Sequence, residues 1–139
     1  MNIDFAESDA DILACFPVVR QLRELGDEDS FLSRVRSQQQ SGYRIAFVSE
    51  SGHPVAVAGF RITENLAWGL HLYVDDLVTL PEIRSKGYGA AMLRWLSDFA
   101  RSKGCGQLHL DSGTQRIDAH RFYRREGLEV SSLHFQRAL

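Results

Sequence analysis

Leu77-Val78-Thr79-Leu80-Pro81-Glu82-Ile83-Arg84-Ser85-Lys86-Gly87-Tyr88-Gly89-Ala90-Ala91 has the makings of an anion site. A strand-like run ends at Thr79, Pro81 opens a loop, and Gly87 and Gly89 fall where an apolar-periodic helix begins. The first N–H groups of a helix, about four, lack intrahelical partners, and the helix dipole favours negative charge there. Glycines let an anion approach those groups without meeting a Cβ atom. Arg84 and Lys86 add positive charge beside them. Physically this is a phosphate cradle. Its spacing is not GxxxxGK[ST], and Met92 stands where the third glycine of GxGxxG belongs, so neither nucleotide fingerprint fits. By itself, a lone Gly-x-Gly is also consistent with a flexible helix start.

Downstream, Ala119-His120-Arg121-Phe122-Tyr123-Arg124-Arg125-Glu126-Gly127-Leu128 places a phenol and an imidazole three residues apart, on one helix face. Upstream, Asp75-Asp76 immediately precedes Leu77-Val78.

Arg84-x-x-Gly87-x-Gly89-Ala90, after a strand containing Asp75-Asp76-Leu77-Val78, resembles the acetyl-CoA-binding motif of the GCN5-related N-acetyltransferases, the GNAT superfamily. Residues 119–128 resemble that family's second signature, with Gly127-Leu128 in place of Gly-Phe. The resemblance implies an enzyme that moves an acetyl group from acetyl-CoA, as co-substrate, directly to an amine of a small molecule or peptide, without a metal. It implies that backbone groups of Leu77, Val78 and Thr79 pair with the pantetheine arm. The amides of Ile83 through Gly89 take the pyrophosphate, so that Arg84, Ser85, Lys86, Gly87, Tyr88, Gly89 and Ala90 surround the cofactor. Tyr123 matches the family tyrosine that lies near the thioester sulfur and often protonates the leaving thiolate; Phe122-Tyr123 on a short helix could instead be core packing with the hydroxyl merely satisfied. A thiolate of pKa ~8.5 can accept a proton from a phenol of pKa ~10 where charge develops beside it. The attacking amine must lose a proton, and Asp76 and Asp75 are the candidate bases, Asp76 leading because it adjoins Leu77-Val78. Neighbours in a strand face opposite sides, so one of the two is expected to point into the crevice. Either acid could instead bind the charge of the acceptor. In the turn Asp111-Ser112-Gly113-Thr114, the resemblance makes Ser112 or Thr114 a candidate contact for the pantetheine arm, unless Ser112 only binds turn backbone. His120 is a proton relay or a helix-capping histidine. A second class of protein, an acyl-CoA-binding sensor or accessory subunit without catalysis, would keep the same cradle.

The elements that position these residues follow from hydrophobic spacing. After a short strand at Ile3–Ala6, Ser8 precedes a helix whose apolar face is Ile12, Phe16, Val19 and Leu22, up to Gly26; Phe31, Leu32 and Val35 mark a second, shorter one. Residues 43–50 and 54–62 form a hairpin across Ser51-Gly52, and residues 69–79 a third strand. Tyr88, Ala91, Met92, Trp95, Leu96 and Phe99 form the buried face of a long helix ending at Gly104 and Gly106. A strand at residues 107–111, a helix at 118–126 and a final strand-like stretch at 128–139 complete the order βααβββαβαβ. This is an α/β (α+β) arrangement, a mostly antiparallel mixed sheet with one parallel pair around the crossover helix. The resemblance implies the GNAT fold, in which that parallel pair splays apart.

Composition bounds the rest. With 139 residues and 44% hydrophobic content the chain suits one domain, residues 1–139, able to bury a core without staples. A net charge of -2 argues against a nucleic-acid binder, and no apolar run reaches the roughly 20 residues of a membrane span. Cys15 and Cys105 lack CxxC spacing and suit reduced thiols in a cytoplasmic protein; the histidines show no zinc pairing. Residues 1–100 carry 9 bases against 14 acids, and residues 101–139 carry 7 against 4. Asp9, Asp11, Glu24, Asp27, Glu28 and Asp29 point weakly to a cationic acceptor, or simply to solvated helix surface. Homodimers are frequent in the family, so the resemblance leaves room for a homodimer, although the sequence itself shows no interface.

Overall fold

A computed structural model describes all of residues 1–139, which group into two compact units, Met1–His109 and Leu110–Leu139. In the first unit, β1 (Ile3–Phe5) is followed by α1 (Asp9–Ala14), α2 (Phe16–Val19) and α3 (Glu28–Gln39). Ser8 Oγ accepts from the Asp11 amide at 3.1 Å and caps α1, while Asp27 Oδ1 accepts from the Ser30 amide at 2.8 Å and caps α3. The single helix expected up to Gly26 is instead broken at Cys15 and ends at Val19. Pro17 supplies no N–H and its ring opposes the carbonyl four residues earlier, so the α1 ladder cannot run through it. The second helix is the longer one, because Phe31 and Val35 are both buried and Asp27 sets its start.

β2 (Arg44–Glu50) and β3 (His53–Asn65) form the expected hairpin, with Ser51 at φ 54° and Gly52 at φ 80° closing it. β3 continues three residues beyond the expected Ile62, because its exposed end stays paired with β4 (Gly69–Thr79). A 3₁₀ turn (Pro81–Lys86) leads into α4 (Tyr88–Ser102) and then β5 (Gln107–Leu110). The sheet order is β1-β2-β3-β4-β5, with antiparallel pairs up to β4 and a parallel β4–β5 pair. The Gly106 N–H donates to Leu70 O at 3.0 Å and ties the approach to β5 to the start of β4.

Each face of the sheet carries its own core. Ile45, Val57 and Val78 pack with Ile12, Val18, Phe31 and Val35 of the first three helices. On the other face Phe60 meets Trp95 and Phe99 of α4 edge-on, at centroid distances of 6.2 and 5.7 Å, and Met92 and Leu96 are fully buried. No helix is long and apolar enough to cross a membrane.

In the second unit, α5 (Ile117–Arg125) forms close to where expected. Residues 128–139 do not form the expected strand. Their strand-like residues have no ladder partner, and β propensity without cross-strand packing does not hold a strand.

Candidate active site

The register of β3 with β4 passes from Gly59 opposite Asp76 to Phe60 opposite Val74 and leaves Asp75 unmatched. One extra residue of this kind is a β-bulge, which interrupts the alternation of side chains. As a result Asp75 and Asp76 line the same cavity, about 290 Å³ in volume, whose other walls include Arg23, Arg34, Gln38 and Tyr43. The expectation that strand alternation sends the two acids to opposite sides is therefore corrected.

Neither carboxylate stands free. Asp76 Oδ1 accepts from Arg23 Nε at 2.9 Å and its Oδ2 accepts from the Tyr43 hydroxyl at 2.8 Å. Asp75 accepts from Arg61 Nη2 at 2.6 Å and Nε at 3.2 Å, and Arg23 Nη2 also donates to the Asp75 carbonyl at 2.9 Å. Arg61 is held in turn by Gln38 Oε1 at 3.0 Å and lies 5.4 Å from the Tyr43 ring centre. Burial pushes the Asp75 carboxyl above its ordinary value, with Arg61 opposing. Burial and the neighbouring Asp76 charge push the Tyr43 phenol well up, so it remains a donor at neutral pH.

Gly59 makes this arrangement fit. A Cβ atom there would overlap the Tyr43 hydroxyl and lie 2.8 Å from Asp76 Oδ2. Glycine inside an otherwise apolar strand signals such close approach. It is the one trace that the sequence offers of a cluster whose other members, Arg23, Arg34, Tyr43 and Arg61, sequence reasoning missed. The acidic residues of the N-terminal region stay outside this cavity. Asp27 caps α3, Asp9 pairs with Arg36, and Asp11, Glu28 and Asp29 occupy first helical turns. Their reading as helix surface holds.

The glycine loop lies at the far end of β4. Leu77, Val78 and Thr79 pair with Ala58, Val57 and Ala56 of β3. Leu80 then leads into the 3₁₀ turn, which is anchored by buried Ile83. Gly87, at φ 81°, serves as N-cap of α4, and no side chain caps it. The first intrahelical bond runs from the Ala91 N–H to Gly87 O at 3.1 Å, so the N–H groups of Tyr88, Gly89 and Ala90 precede the helical ladder. Arg84 and Ser85 are exposed, and Arg84 has no side-chain partner. Lys86 differs from expectation: its Nζ donates to Glu50 Oε1 at 3.2 Å, and the Tyr88 hydroxyl donates to Glu50 Oε2. Glu50 thus neutralises one of the two cations assigned to the cradle and ties the helix start to the β2–β3 hairpin. What remains, uncapped amides beside Arg84, fits the phosphates of a nucleotide-like ligand.

In the unit Leu110–Leu139, Ser112 Oγ is buried without a hydrogen-bond partner. An orphaned buried hydroxyl of this kind suits a polar group on a ligand. His120 Nε2 lies 2.8 Å from Gly113 O and so donates to the turn that precedes α5. Tyr123 is half-buried; burial raises its phenol pKa and the Arg116 guanidinium opposes the rise. Arg121 pairs with Asp118 on the surface, and exposed Arg125 reaches the largely covered carboxylate of Glu126.

Residues 10–128 match the model of the acetyltransferase (GNAT) family. An uncharacterized N-acetyltransferase of Bacillus subtilis, YhdJ, is 36% identical over 124 residues, 88% of this chain and 87% of that protein. The aminoalkylphosphonate N-acetyltransferase of Salmonella typhimurium is 39% identical over 66 residues, 48% of this chain and 43% of that protein. Among solved structures, the aminoglycoside N-acetyltransferase AAC(6')-Iy in complex with CoA shares the fold at TM-score 0.83 and 14% identity, over 99% of this chain and 95% of that one. A family model spanning most of the sequence, together with a relative aligned over nearly the full length of both proteins, shows that this chain belongs to the acetyltransferase (GNAT) family.

Proposed function

We propose that the chain transfers an acetyl group from acetyl-CoA directly to the amine of a small molecule or peptide. The observation that carries this reading is the uncapped, glycine-bordered start of α4 at the end of the strand that holds the acid pair. When bound, acetyl-CoA supplies the acetyl group as a thioester whose thiolate, of pKa ~8.5, leaves readily. The amides of Tyr88, Gly89 and Ala90, with Arg84 beside them, hold the pyrophosphate. Leu77, Val78 and Thr79 offer backbone groups to the pantetheine arm, and the buried, unpartnered Ser112 Oγ is a candidate contact of its own for a polar group of the cofactor. His120 keeps the turn at Gly113 in place.

Tyr123 gives its proton to the sulfur as the C–S bond breaks and the N–C bond forms. Its raised pKa keeps the phenol protonated until that moment. The proton released by the amine passes to the acid pair. Burial makes the Asp75 carboxyl more basic against the pull of Arg61, and Tyr43 and Arg23 hold Asp76 beside it. Most of the acceleration comes from holding amine and carbonyl in attack geometry. The Salmonella relative is named for aminoalkylphosphonates and the structural neighbour for aminoglycosides, which supports a small amine as acceptor. Cys15 and Cys105 are free thiols, in keeping with a cytoplasmic enzyme.

The test is thiol release from acetyl-CoA across a panel of amines. Tyr123→Phe is expected to lower kcat by about 10²-fold or more while the KM for acetyl-CoA stays within about twofold. An unchanged kcat would remove Tyr123 from the mechanism. Tight acetyl-CoA binding by calorimetry with no thiol release from any amine would replace the enzyme with a sensor.

A further inference from the structure

The charges lining the Asp75–Asp76 cavity point away from a purely cationic acceptor. Four charged residues line it: Arg23, Arg34, Asp75 and Asp76. Both acids are already paired, Asp76 with Arg23 at 2.9 Å and Asp75 with Arg61 at 2.6 Å. Arg34, on α3, makes no hydrogen bond or ion pair with the rest of the protein. Counting Arg61 behind Asp75, three guanidinium groups therefore meet two carboxylates, and the unmatched one lies on the cavity wall. No acidic residue of the N-terminal helices reaches that wall.

The remaining lining sharpens the point. Val19, Leu25, Phe31 and Val35 form an apolar side, and the exposed Arg34 stands at its edge. A guanidinium presents a planar fork of donors suited to carboxylates and phosphates. The cavity volume, about 290 Å³, lies at the low end for ligand pockets and suits a small molecule better than a peptide chain.

From this we infer that the acceptor is a small amine that also carries an anionic group, a carboxylate or a phosphate-like oxyanion, and that Arg34 binds that group. This rests on the acetyltransferase reading above and names its substrate class. The amine end belongs at Asp75 and Asp76, whose carboxylates accept from a protonated or neutral amine, and the anion at the α3 wall. A polyamine or an aminoglycoside, with several cations and no anion, would leave Arg34 facing like charge.

Matched acceptor pairs test this: an amino acid against its carboxamide, and O-phosphoethanolamine against ethanolamine, with spermidine as the polycation. Thiol release gives kcat and KM for each. The anionic member of at least one pair is expected to show a tenfold or greater advantage in kcat/KM, carried mainly by KM. Arg34→Gln should raise the KM for that member about tenfold with kcat nearly unchanged, and Arg34→Lys should restore part of the loss. Exposed Arg124→Gln serves as the charge control and should leave the ratio in place. The carboxylate and phosphate arms distinguish the two kinds of anion. Turnover of amines with equal preference for neutral or polycationic members, or an anion preference that survives Arg34→Gln, overturns the inference and leaves the acetyltransferase reading standing. If no amine is turned over, that reading fails instead. Ligand-observed NMR of the same pairs against the wild-type protein and Arg34→Gln then decides this point alone: binding of the anionic members that is lost in the variant supports it, and no such binding overturns it.

Discussion

The start of α4 and the acid pair of β4 belong to one stretch of chain, yet they are built from different materials. At the start of α4 the working groups are backbone amides, left open because Gly87 takes a left-handed conformation and no side chain caps the helix. At the acid pair the working groups are side chains, and nearly every one is closed by another: Asp76 by Arg23 and Tyr43, Asp75 by Arg61, and Arg61 by Gln38. The first site binds by leaving groups unsatisfied. The second is held by satisfying all but one cation. A site of backbone amides depends on local conformation, so a glycine pattern specifies it. A site of paired side chains depends on residues brought together from the segment after α2, from α3, from the residue before β2, and from β3 and β4, so its parts fail together.

The largest expected effect comes from breaking the side-chain site at its tightest point. Gly59→Ala places a methyl group against the Tyr43 hydroxyl and Asp76 Oδ2. Overpacking and the loss of that hydrogen bond should cost about 3 kcal/mol in chemical denaturation. Gly106→Ala, whose Cβ would meet nothing within 4 Å, is the comparison and should change stability by less than about 1 kcal/mol. Similar costs for the two would mean that the Tyr43–Asp76 contact is not tight.

A smaller effect is expected at the backbone site. Gly87→Ala forces an L-residue into φ 81° and should cost about 1 kcal/mol, while no neighbouring atom obstructs the methyl group. Its signature should be a several-fold rise in the dissociation constant for acetyl-CoA, read by calorimetry. A loss of stability with unchanged affinity would remove the α4 amides from cofactor binding.

The smallest effect is the pH dependence of the acid pair. The Asp75 carboxyl is raised in the folded state, chiefly by burial, so the folded protein holds this proton more tightly than the unfolded chain does. Its contribution to stability is then fully present below the unfolded value, about 3.9, and is lost as pH rises through the folded value. Denaturation of wild type and Asp75→Asn across that acidic range should show the wild type losing ground relative to the variant as pH increases. The opposite slope would mean that Arg61 outweighs burial.

What could be read from the sequence follows the same division. The α4 face from Tyr88 to Phe99, the β2–β3 hairpin and the 69–79 strand follow from local hydrophobic spacing, and the glycine loop follows from its own residues. The break at Pro17 was also local in origin, but the apolar spacing from Ile12 to Leu22 ran straight across it. The stretch 128–139 has strand-like residues and no strand, since pairing depends on a partner that residue type does not supply.

By itself the sequence determined the family resemblance, the order of most elements and the position of the phosphate cradle, because each depends on residues close together in the chain. Only the tertiary structure decided that a bulge turns Asp75 and Asp76 to one side, that Lys86 is spent on Glu50, and that Arg34 is left facing the cavity without a partner. Each of these is a contact, or a missing contact, between groups far apart in sequence. Such pairings are set by strand register and helix packing, which no local spacing encodes.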